Sequence, residues 1–165
     1  MSCLVVRATC GITLALVIVD GGLRPFADKA HRDGFVAAFR SPNYKEAGAE
    51  MFKAMIGPDL SADDQERIKM SFQSTPQFVI VGAAEAMNDD AIYAPDKINV
   101  PVLAVLAKSP FWAADTEQFL RSLAPKLDYQ MWEGVHHFVM MEKPKEFNEA
   151  VIAFLNKNGL LKPAN

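Results

Sequence analysis

Trp132-Glu133-Gly134-Val135-His136-His137-Phe138-Val139-Met140-Met141-Glu142-Lys143-Pro144, continuing as Lys145-Glu146-Phe147-Asn148, decides how the rest of the chain is read. The alternating segment Leu127–Trp132 ahead of it has strand character and stops at Gly134. Two histidines follow in a short loop. Pro144 then stands where a helix can begin, and Phe147, Val151, Ile152 and Leu155 recur behind it at helical spacing. A histidine between a strand end and a helix start is held by two rigid elements yet stays accessible, as a general base requires. Read on local features alone, an ordinary loop histidine is the favoured alternative.

Working outward, two further apolar runs lack any polar alternation. Thr13–Val19 is bounded by Asp20-Gly21-Gly22, and Val100–Leu106 carries Pro101 near its start, where a missing N–H does least harm. Both read as strands buried on two faces, the parallel type. Between them, residues 23–94 read as helices punctuated by Pro25, Pro42, Pro58 and Pro76. Ser61-Ala62-Asp63-Asp64 has the pattern of a capping box. Thr75 is expected to cap a helix with Pro76 at its first position. Residues 113–123 are amphipathic through Phe119, Leu120 and Leu123, and the last helix, from Pro144 to Asn156, is expected to end at Gly159. Strand, helical insertion, strand, helix, strand, helix is an α/β order with parallel pairing and right-handed crossovers.

Gly134-x-x-His137-Phe138, then Glu142-x-Pro144, then Phe147-Asn148 and Phe154-Leu155 resembles the catalytic-histidine segment of the α/β-hydrolase superfamily. His136 stands where that family carries a second glycine. The resemblance implies that His137 is the catalytic base. It also implies that residues 23–94 are the helical cap insertion within one partial α/β-hydrolase domain spanning 1–165. The family's nucleophile lies in Gly-x-Ser-x-Gly, and none of the serines here is flanked that way. In the family's order that elbow precedes Thr13–Val19 by one helix. Residues 1–12 do not read as such a helix, so the expectation is a chain matching the second half of a family member, with either a truncated or misread start or a genuinely divergent N-terminus.

The same resemblance places an acid after the strand Val102–Leu106, where this chain has Ala107-Lys108-Ser109-Pro110. Ser109 can bond an imidazole but cannot offset its charge. Some family members carry the acid one strand earlier, which selects Asp20 over Asp115; Asp115 reads as the opening of the following helix. Asp20 alternatively is a strand-end turn residue. Glu142 either holds the histidine loop or places charge at the N-terminus of the last helix. A full-length relative would hydrolyse a small ester, amide, thioester, epoxide or carbon–halogen bond with no cofactor. The rival reading is a non-catalytic remnant that serves as a binding or interaction domain.

Composition narrows the partners. The 165 residues are 50% hydrophobic and 22% charged, with a net charge of −3, which suits one globular domain. No basic stripe is present, which argues against nucleic acid. Cys3 and Cys10 form neither a Cys-x-x-Cys pair nor a zinc spacing, and His136-His137 lacks a third ligand at helical spacing. Residues 2–19 are mostly apolar but carry Arg7 and Gly11, so they lack a clear secretory-signal pattern and are marginal for a membrane span; attachment to a membrane through residues 3–19 is the weaker alternative. The expected location is the cytoplasm and the expected partner a small-molecule substrate. Without further strands beside Thr13–Val19, self-association through an exposed sheet edge is also expected.

Overall fold

The computed structural model describes residues 13–93 and 96–161. The expectations for residues 1–12 lie outside the described residues. Two compact units emerge: residues 13–23 with 96–161, and residues 24–93.

The first unit is built on a three-stranded parallel sheet of β1 (Leu16–Val19), β2 (Val102–Ala107) and β3 (Leu127–Trp132), in the order β1-β2-β3. Leu16 pairs with Val102 and Val102 with Leu127, so all three strands start level and end on one edge. β1 was expected from Thr13 but begins at Leu16, where its N–H bonds Pro101 O at 3.0 Å. The β1–β2 register starts with Leu16 opposite Val102. β2 likewise starts two residues later than expected and runs one residue further, because Ala107 pairs with Trp132.

β2 is buried from end to end, as the central strand of a parallel sheet with both faces covered should be. Val102, Ala104 and Leu106 face a core with Leu120 and Leu123 of α5 (Thr116–Leu123), together with Ile18 and Leu23. Leu103, Val105 and Ala107 face the other core, with Val135, Val139 and Phe154. Those come from the histidine loop, from α6 (Val139–Glu142) and from α7 (Pro144–Lys157). The single turn α6 was not expected from the sequence. α7 has Pro144 in its first turn and is followed by Gly159 at φ +66°, the left-handed C-terminal conformation.

The second unit contains α1 (Lys29–Arg40), α2 (Tyr44–Met55), α3 (Ala62–Ser74), α4 (Gln77–Asn88) and a 3-10 turn (Asp90–Tyr93). Its core joins Val36 and Phe39 of α1 to Ile80 and Ala84 of α4. Asp28 caps α1 by accepting from His31 N–H. The Asp28 carboxyl is held below its ordinary range, first by that backbone donor and then by the His31 ring. Ser61 Oγ accepts from Asp64 N–H, so the capping pattern forms. Thr75 departs from expectation: it closes α3, its hydroxyl donating to Ser71 O, and Pro76 takes the N-cap of α4. A hydroxyl spent on the preceding helix does not cap the next one. No helix of the described residues is long and apolar enough to cross a membrane.

Candidate active site

Three backbone features at the C-terminal edge of the sheet bring the candidate residues to one place. Asp20 N–H donates to Val105 O at 2.8 Å, extending the β1–β2 ladder by one bond. The Asp20 backbone then turns to φ +42°, the one left-handed non-glycine residue among those described. Aspartate tolerates that conformation better than most side chains, and strain of this kind persists only where surroundings hold it. Two residues past β3, Gly134 at φ +70° turns the chain out of the sheet, a geometry that favours a residue without Cβ. Val135 and Val139, 5% and 0% exposed, then anchor the histidine loop into the core from both ends.

The Asp20 carboxylate is consequently clamped. Its Oδ1 accepts from Ala107 N–H at 2.8 Å, and its Oδ2 lies 2.8 Å from His137 Nδ1. The side chains are 10% and 37% exposed for Asp20 and His137. An ionised carboxylate only accepts, so the proton sits on Nδ1 and the Nε2 lone pair is left available. No described residue bonds Nε2. His137 also packs edge-to-face on Phe138, with ring centroids 5.3 Å apart. An imidazole fixed in this way can accept a proton at Nε2, and the carboxylate stabilises the imidazolium that results. Opposite charges about 4 Å apart attract by about 4 kcal/mol at an effective dielectric near 20, less for a ring this exposed; a neutral hydroxyl supplies about 1 kcal/mol.

The other candidates have contacts of their own. Ser109 Oγ accepts from Phe111 N–H at 3.2 Å, and Ser109 O accepts from Trp112 N–H, so Ser109 closes its own turn. Asp115 is the N-cap residue of α5, without a side-chain cap bond. His136 Nδ1 lies 3.2 Å from Glu142 Oε2, while His136 N–H donates to Glu142 Oε1 at 2.9 Å. Among the described residues no cluster of three or more His, Cys, Asp or Glu side chains is placed to hold a metal. A shallow cavity of about 580 Å³ lies within the helical unit, against the Arg40–Glu85 ion pair and Asn88, and contains no histidine. The Ala107 N–H was invisible to sequence reasoning, because any residue supplies that donor and only the strand register brings it to Asp20.

No protein-family model and no curated protein matches this sequence. Solved structures do resemble the fold. A thermophilic esterase superposes with a TM-score of 0.66 at 23% identity, over 90% of this chain and 58% of its own. A hydrolase from Pseudomonas aeruginosa PA01 gives 0.71 at 20% identity, over 86% of this chain and 55% of its own. The Bacillus megaterium epoxide hydrolase gives 0.59 at 15% identity, over 87% and 61%. At these identities the likeness speaks for the fold, and each of these proteins has the α/β-hydrolase fold. This chain spans less than two thirds of the length of any of the three.

Proposed function

We propose that this chain, with its partial α/β-hydrolase fold, supplies the base and the orienting acid of a hydrolytic site. His137 is the base and Asp20 the acid. The observation that carries the reading is the 2.8 Å approach of Asp20 Oδ2 to His137 Nδ1 at the strand ends. The 165 residues hold no Gly-x-Ser-x-Gly. In this reading the nucleophile is supplied from outside these residues. With it in place, His137 Nε2 takes the proton of the attacking hydroxyl or water and returns it to the leaving group, and no cofactor is needed. The substrate class is a small molecule with an ester, amide, thioester, epoxide or carbon–halogen bond. Residues 24–93 take the substrate-selecting role of a cap, on the strength of their place in the sequence between β1 and β2.

The lack of a nucleophile motif favours one other reading, a non-catalytic domain that keeps the fold and serves binding. A hybrid separates the two. The part of the thermophilic esterase that this chain does not match is joined to this chain, and hydrolysis of p-nitrophenyl acetate is measured with and without His137→Ala. The hydrolytic reading expects turnover that collapses in the variant. A folded hybrid whose turnover is indifferent to His137→Ala leaves the binding reading standing.

A further inference from the structure

Glu142 is the most deeply buried carboxylate in the histidine segment, its side chain 1% exposed. Burying a carboxylate is costly unless donors satisfy it. Here both donors come from one residue. His136 gives its backbone N–H to Oε1 at 2.9 Å and presents its ring Nδ1 to Oε2 at 3.2 Å. Glu142 closes α6, a single turn whose first residue, Val139, is fully buried. The carboxylate thus reaches back from a packed turn and grips the residue immediately before the base. We propose that Glu142 is a positioning residue: by holding both ends of His136 it fixes the peptide that carries His137, and so sets the His137 ring with Nδ1 on Asp20 and Nε2 free. This rests on the reading of His137 as the base. His136 is what makes the grip two-pronged. A glycine at that position would offer the backbone donor alone.

The geometry bears on the proton as much as on the ring. An imidazole free in water favours the proton on Nε2, the tautomer that cannot both donate to Asp20 and accept from a nucleophile at Nε2. Holding Nδ1 within 2.8 Å of an ionised carboxylate reverses that preference. If the loop drifts by about an ångström the bond lengthens past useful range, and the tautomer relaxes.

Ring-nitrogen spectroscopy on the intact chain, with 15N-labelled histidine, tests this directly. The chain has only His31, His136 and His137, so substituting the other two assigns the signals. Spectra are taken in solution, or by magic-angle spinning on sedimented protein if the chain associates. Glu142→Met fills the same buried space without an acceptor oxygen. Glu142→Gln keeps an acceptor for the His136 N–H. The expected result is that Glu142→Met loses the protonated Nδ1 signal of His137 and gains protonated Nε2. Glu142→Gln retains the wild-type tautomer, and Asp20→Asn loses it with Glu142 intact. A His137 tautomer unchanged in Glu142→Met overturns the proposal, as does its equal loss in Glu142→Gln and Glu142→Met. Neither outcome touches the hydrolytic reading, which stands or falls with turnover of the hybrid.

Discussion

At the scale of single residues, Asp20 carries two jobs in one side chain. One oxygen ties β1 to the end of β2 through Ala107 N–H, and the other faces the His137 ring. Asparagine preserves size and can still accept one of those bonds, but it cannot stabilise an imidazolium. In the hybrid enzyme, Asp20→Asn is expected to lower turnover by roughly two to four orders of magnitude, the scale set by loss of the orienting acid in serine hydrolases. Asp115→Asn, at a helix cap on another turn, is expected to leave turnover within about twofold of the parent, since exposed cap positions contribute little to chemistry elsewhere. Steady-state kcat/KM for the two variants decides the assignment. A silent Asp20→Asn would remove Asp20 from the mechanism.

At the scale of elements, the helical unit rests on a close approach that the hydrophobic pattern of its helices does not reveal. Gly48 lies mid-helix in α2, and a Cβ built there falls 2.0 Å from Cε1 and Cζ of Phe72 in α3. Phe72 is itself braced, edge-on to Phe52 and tilted against Phe39. Alanine in place of a helical glycine is ordinarily worth about 1 kcal/mol of stability. Here the ring has to move and disturb two aromatic contacts, and overpacking of this kind costs about 1–3 kcal/mol. Gly48→Ala is therefore expected to be neutral to destabilising, by up to about 2 kcal/mol. Urea unfolding measures it, and a clear stabilisation would mean that the aromatic cluster yields more readily than its geometry implies.

At the scale of the whole molecule, the sheet has β1 and β3 at its two edges among the described residues. β3 carries Asp128 and Gln130, which discourage further pairing. β1 is Leu16-Val17-Ile18-Val19, with no charge and no proline, and Leu14 just before it is 68% exposed. An apolar edge that no described strand covers is a template for another strand. The chain expressed alone is expected to self-associate at micromolar concentration, read by sedimentation velocity. A single monomeric boundary with a sharp cooperative melt would contradict this. The end of the same sheet carries the Asp20–His137 pair, and the sequence holds no Gly-x-Ser-x-Gly.

What the sequence by itself determined follows from local physics. Continuous apolar runs have to be buried on both faces, and β3 was placed to the residue because Leu127 and Gly134 mark its ends. Local physics did not single out His137 or Asp20: the family resemblance carried by glycine, histidine, acid and proline in order pointed to His137, and with Ser109 at that family's usual acid position it pointed to Asp20. Strand starts were less legible, because β1 begins where Val102 offers a partner and not where its own apolar run begins. Thr75 misled because a threonine between two helices can serve either one, and only the proximity of Ser71 O settles which. The tertiary structure alone decided that Asp20 Oδ2 meets His137 Nδ1 across 117 positions of sequence. It also decided that Ala107 N–H takes the other oxygen. Those contacts depend on strand order and register, which arise from pairing between distant segments and leave no trace in the spacing of any one of them.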